Sequence, residues 1–270
     1  MLPYWIIPAF AGCVWLGGLL AMLCTWISKG EPYYAFMDET SQHIVYISDL
    51  GATSWGKPIF ITTSAVMVVT FDLVFVIERW QRHKRQLAPN YRRSEKIMSA
   101  GAIFWSIIGG AGLILLTIFD TAHYRKVHDS MLGVFIAGYI ISAICVCIEY
   151  ALLGLVVRRH QHQMGLESHK GHRLLLASFS IKLCFIVVEL ALAISFGVTE
   201  YTGRYNTSAI LEWVVALLYI FYVWSYIFDF LPVNYAVART RSNRFPSKGR
   251  WSEEMAMNEG SSPYSKRTHF

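Results

Sequence analysis

Two sets of ionisable residues in this chain have the types and placement to do chemistry. The first is Asp49, Asp120, His123, His128, Asp129, Glu200 and Glu212, each in or beside a polar stretch that interrupts long apolar runs. Carboxylates with a histidine at one level are the groups that proton transfer or cation binding requires. Their spacing fits three uses: capping and bracing of helix ends by Asp120 and Asp129, a site for a lipid headgroup, or acid–base catalysis. The second set is Asp72, Glu149, Lys182 and Glu189, inside the apolar runs, where a charge is costly and needs a partner. Glu149 and Lys182 stand about 12 and 13 Å from the ends of consecutive runs at a helical rise. Antiparallel packing then predicts an intramembrane Glu149–Lys182 pair, shared with Asp72 and with Glu189 nearby. Such a group fixes helix register, lines a proton or substrate path, or acts as polar glue that also reads lipid headgroups. A third cluster, His160, His162, His169 and His172, has basic neighbours (Arg158, Arg159, Lys170, Arg173) that oppose a cation. No metal site is expected there, and no cofactor.

The elements that must position these residues are set by composition. The chain has 270 residues, 54% hydrophobic and 16% charged, against about 25% charged in soluble domains. The apolar residues gather in runs at 5–27, 59–77, 97–119, 131–157, 174–196 and 209–231. A run of about 20 residues crosses a hydrocarbon core of about 30 Å as a helix. None alternates like a barrel strand. The expected fold is all-α: a polytopic bundle of six transmembrane helices over residues 1–235, followed by a basic, disordered tail at 236–270. The first run lacks the basic leader of a signal peptide and is read as a retained span. Residues 120–130 read as a short turn. Two rows of small residues, Ala9-Cys13-Gly17-Ala21 and Ala102-Ser106-Gly110, would admit a neighbouring helix closely.

Charge sets the expected orientation. Segments 78–96 and 158–173 with the tail carry 18 lysines and arginines, and the other connections carry five. Positive residues stay on the cytoplasmic side, so both termini are expected there. The net charge of +6 is then a topology signal, and no nucleic acid is expected as a partner. The basic clusters would meet anionic inner-leaflet lipids. Asn206-Thr207-Ser208 is an N-glycosylation sequon on the opposite side, which makes Asn206 a glycosylation candidate. There is no phosphate-binding P-loop, no dinucleotide fingerprint, no G-x-S-x-G and no H-E-x-x-H, which removes the common membrane ATPases and metalloproteases.

Ile47-Ser48-Asp49-Leu50-Gly51-Ala52, Asp120 with His128-Asp129 and Phe135, and Glu212-Trp213, in this order over residues 1–235, resemble the Frag/DRAM/Sfk family of six-span membrane proteins. The basic tail is most similar to the fungal Sfk branch. The resemblance implies a non-enzymatic regulator of lipid signalling or lipid distribution at the plasma membrane, linked to recruitment of a phosphatidylinositol 4-kinase complex. Two other branches imply alternatives: a lysosomal or vacuolar autophagy modulator, or a participant in GPI-anchor lipid remodelling in the Golgi or endoplasmic reticulum. The family assigns no catalytic residues to carry over. Ser48, Asp49, Gly51, Asp120, His128, Asp129, Glu212 and Trp213 are therefore motif positions.

Overall fold

The computed structural model describes residues 3–37, 42–84, 87, 89–90, 92–163 and 170–230. All regular structure among them is helical: α1 Ile6–Ser28, α2 Ile47–Ala52, α3 Gly56–His83, α4 Arg93–Ile118, α5 Thr121–Gln163, α6 Lys170–Tyr201 and α7 Tyr205–Asp229. All but α2 are long and apolar enough to cross a membrane. The expected tail at 236–270 lies outside the described residues, as do the side chains of His160, His162, His169 and His172.

The helix ends differ from the apolar runs for identifiable reasons. The apolar run ends at 77, yet α3 continues to His83, because Glu78 and Arg82 are one turn apart and pair at 2.5 Å. Such a pair supports helix on its own face. Glu95 accepts the Arg92 N–H at 3.1 Å, closing the start of α4. Residues 121–130, expected as a turn, are helical. Asp120 accepts the His123 N–H at 2.8 Å and so caps α5. A single non-helical residue, Tyr124 (φ −133°, ψ 39°), bends that first turn away from the long span.

The six long helices form a closed ring. Each packs on the next in the order α1, α3, α4, α5, α6, α7, and α7 closes back on α1. α2 plugs one end of the ring, touching α1, α3, α5 and α7. We call this the α2 end and the opposite one the Arg82 end. Phe71, fully buried, is the hub of the interior. Its ring meets those of Phe75, Tyr139, Tyr219, Tyr222 and Tyr226 at centroid distances of 5.0 to 6.1 Å.

Close approach is set by small residues. At Gly138 of α5 a Cβ would run into the backbone of Gly109, so α4 and α5 touch main chain to main chain. Ala102, Ser106 and Gly110 are buried, as expected. The row in α1 is a correction. Cys13, Gly17 and Ala21 are exposed, and α1 packs instead through Gly12 against Trp224 and Gly18 against Thr63. α6 is the least enclosed helix: 6% of its membrane-length window is buried, against 33–44% in the other five.

Candidate functional site

The stretch Ile47–Ala52 folds as α2, and α7 holds it. Tyr46 at its N-cap supplies no side-chain cap. Glu212 supplies one from across the bundle, accepting the Ile47 N–H at 2.6 Å and bonding the backbone and hydroxyl of Ser48. A carboxylate at a helix N-terminus satisfies orphan donors and complements the dipole. The next residue, Trp213, donates its indole N–H to the Val45 carbonyl at 2.9 Å. One helical turn or two earlier, Asn206 Oδ1 accepts the N–H groups of His43 and Ile44 at 2.7 and 3.0 Å. The sequon asparagine is thus part of the same clamp. Gly51 faces the Phe60 ring, where any Cβ would overlap it. That close approach is why glycine stands in the motif.

Around this clamp lie the remaining acidic groups. Asp49 is buried and takes long bonds of 3.4 Å from Gln42 Nε2 and Thr121 Oγ1. Asp120 pairs with Lys57 at 2.5 Å and with the His123 ring at 2.8 Å. Burial pushes the Asp120 carboxyl up, but the bonds from Lys57 and His123 outweigh it and hold the group at about 2. Tyr46 donates to Glu200 Oε2 at 2.6 Å, and Ser208 donates to the same oxygen at 2.9 Å. Burial, and then that bond to Glu200, push the Tyr46 hydroxyl far above its ordinary range, so it is a donor only. Asp129 is exposed on α5. The structure therefore gathers Ser48, Asp49, Gly51, Glu212 and Trp213 about α2, seats Asp120 beside them with its own partners, and leaves Asp129 on the surface.

His128 is 3% exposed. Its Nδ1 lies 2.8 Å from the Leu116 carbonyl and 2.9 Å from that of Phe119. Two carbonyl acceptors require a proton on Nδ1, which in a neutral imidazole puts the lone pair on Nε2. His128 lines a cavity of about 140 Å³ formed mainly by α4, α5, α6 and α7, with Trp15 of α1, Ile47 of α2 and Phe60 of α3 also in its lining. The walls are otherwise apolar and aromatic, with Phe60, Phe135, Phe185 and Phe196 among them, and two carboxylates, Glu189 and Glu212, reach it. Glu189 Oε1 is buried without a hydrogen-bond partner. Among the described residues no three His, Cys, Asp or Glu side chains converge as a metal-binding group.

At the Arg82 end the buried charges pair differently from the expected Glu149–Lys182 contact. Lys182 pairs with Asp229 at 2.5 Å and donates to Ser178 at 2.8 Å. Glu149 faces Arg82 at 3.4 Å and accepts from Asn90 at 2.8 Å. Arg82 also holds Glu78, whose Oε1 takes the Tyr150 hydroxyl at 2.6 Å. Lys182 and Arg82 each lie 5.0 Å from the Tyr150 ring, so this tyrosine separates two ion clusters. Asp72 joins neither and accepts from Tyr139 at 3.2 Å. Depth along a helix was legible; the direction each side chain takes around it was not. Glu78, Arg82 and Asp229 sit at or beyond the ends of the apolar runs, where a charge does not by itself call for a buried partner. The four-residue spacing of Glu78 and Arg82 was the signal available.

The family model described as "Frag1/DRAM/Sfk1/Cwh43P N-terminal domain" matches residues 3–233. Protein SFK1 of Saccharomyces cerevisiae is 27% identical over 263 residues, covering 78% of this chain and 73% of that protein. Protein sfk1 of Schizosaccharomyces pombe is 27% identical over 227 residues, covering 84% of this chain and 63% of that protein, so the chain spans less than two thirds of this second relative. No solved structure matches the chain. With six membrane-length helices and a match over nearly all of them, this integral membrane protein belongs to the Frag1/DRAM/Sfk1/Cwh43P family.

Proposed function

We propose that the protein is a non-enzymatic regulator of lipid signalling or lipid distribution, resident in the plasma membrane with both termini in the cytoplasm. Its Arg82 end meets anionic inner-leaflet lipid, and its cytoplasmic segments, the tail above all, recruit a phosphatidylinositol 4-kinase complex. The observation that carries this reading is the polarity of the bundle. Lys84, Arg92, Arg93 and Lys96 are exposed around the Arg82 end, while the α2 end holds Asp49, Asp120, Glu200 and Glu212. Each basic residue near an anionic surface contributes roughly 1 kcal/mol of attraction. The likeness to the two Sfk1 proteins supports the branch. The test is deletion of residues 236–270. Co-isolation of the kinase complex and plasma-membrane phosphatidylinositol 4-phosphate should fall while the bundle's abundance and melting stay unchanged. Normal recruitment by the truncated protein would overturn the scaffold reading.

The fixed tautomer of His128 favours one second reading, a participant in GPI-anchor lipid remodelling. A buried imidazole with Nδ1–H anchored and Nε2 unbonded is the form a general base takes. On that reading His128→Ala removes a remodelled lipid product at unchanged protein abundance. A loss of abundance instead marks His128 as the tie between α5 and the end of α4.

A further inference from the structure

The cavity between α4, α5, α6 and α7 combines three features that the packing of the bundle does not need. It is a partly open space of about 140 Å³ within the bundle, similar in volume to the roughly 150 Å³ apolar cavity that admits a benzene-sized guest. Its walls are mostly apolar, and the polar groups that reach it include carboxylates, His128 and tyrosine hydroxyls, of which that of Tyr219 has no hydrogen-bond partner. Glu189 Oε1 has no hydrogen-bond partner. His128 has its donor nitrogen turned away to the Leu116 and Phe119 carbonyls, which leaves the Nε2 lone pair. Glu212 already spends Oε2 on Ile47. An unpaired carboxylate among Phe185, Ala193 and Phe196 is costly unless something donates to it. No lysine, arginine or other cation lines the cavity.

We propose that this cavity is a binding site for a membrane amphiphile whose head is a primary ammonium group without an adjoining phosphate. The ammonium sits between Glu189 and His128, donating one proton to Glu189 Oε1 and one to His128 Nε2. The first carbons of the tail fill the aromatic walls, and the rest passes beside α6 into the bilayer. A phosphate beside the amine would face Glu212 as well as Glu189, both acidic, and be repelled. α6 is the wall that yields for entry, since it is the least packed of the six long helices. Occupancy by such a ligand does not depend on recruitment of a kinase, and the two are tested separately.

The probe is a long-chain primary amine carrying a diazirine and an alkyne in its tail, applied to the full-length protein in nanodiscs of neutral phosphatidylcholine. Saturable labelling confined to peptides of α5, α6 and α7 is expected. An unlabelled amine of the same chain should compete, and the matched alcohol should compete at least about tenfold more weakly, as loss of a charged hydrogen bond implies. Phosphatidylethanolamine should compete as poorly as the alcohol. Glu189→Gln, which removes no bond within the protein, should weaken labelling by a similar factor at an unchanged melting temperature. Ala193→Phe, which fills the cavity and touches no polar group, should abolish it. Equal competition by the alcohol, full labelling of both variants, or non-saturable labelling spread over the lipid-facing surface would each overturn the site. Competition by phosphatidylethanolamine equal to that of the amine would overturn the exclusion of phosphate.

Discussion

Asp120 and Lys57 couple the start of α5 to the start of α3, and the coupling has a definite pH dependence. The folded carboxyl titrates at about 2 against an ordinary 3.8, so on acidification the unfolded chain takes up its proton first. The contribution to stability is complete above the unfolded value and is lost as pH falls from about 4 through about 2. Lys57 is 36% exposed, so solvent screening limits the contribution to about 1 kcal/mol. Lys57→Met should therefore flatten the fall in melting temperature over that window, and identical wild-type and variant profiles would show the pair to be inert. The buried pair at the other end is larger. Asp229→Asn leaves Lys182 charged and enclosed and should cost about 3–5 kcal/mol. Glu149→Gln leaves Arg82 its bond to Glu78 and should cost about 1–3 kcal/mol. Denaturant titration in mixed micelles ranks the two, and a reversed ranking would restore Glu149 as the partner of Lys182. Residue types and depths were legible in the sequence at this scale. Pairing was not, because a helix turns about 100° per residue and a depth estimate carries no azimuth.

Among the elements, α2 is the one that hydrophobic periodicity misses. Six residues make fewer than two turns, and an isolated helix of that length does not stand in water. It exists because α7 caps it through Glu212 and grips its approach through Trp213 and Asn206. Glu212→Ala should thus speed amide hydrogen exchange at Ile47–Leu50 by about fivefold, as loss of a cap worth about 1 kcal/mol implies. Exchange in the later turns of α7 should be unchanged. An unchanged rate at Ile47 would mean that packing of Leu50 and Gly51 alone fixes α2. The long helices, by contrast, were all visible as apolar runs, since length and apolarity are what the bilayer selects. Their contact faces were only partly visible. The Ala102–Gly110 row is buried as expected, but the regular row in α1 points outward, because in lipid a small residue marks an interface only where another helix is placed to use it. Gly133 and Gly138 show the distinction: a Cβ at Gly133 meets nothing within 4 Å, and one at Gly138 meets the Gly109 backbone. Gly138→Ala should destabilise the α4–α5 contact by about 1–3 kcal/mol and Gly133→Ala should be neutral, as read by unfolding midpoints of the two variants.

For the whole molecule, the ring of helices makes two chemically different ends from one chain. Successive spans cross the membrane in alternating directions, so every odd-numbered connection between spans falls at the α2 end and every even one at the Arg82 end. The charge difference between the ends is therefore a property of the topology as well as of composition. It is the observation on which the orientation proposed above rests, with the Arg82 end on the cytoplasmic side in that proposal. Tyr201, at the α6 terminus of the α2 end, is 92% exposed, and Lys84 is exposed at the Arg82 end. The five native cysteines are free and belong to the membrane-length helices, which the bilayer shields from a charged reagent. In intact cells a membrane-impermeant maleimide should label Tyr201→Cys and leave Lys84→Cys untouched until the membrane is permeabilised. The opposite pattern would invert the bundle. It would place the basic segments outside, away from any cytoplasmic kinase, and would remove the recruitment reading while leaving the cavity and its amine site as they stand.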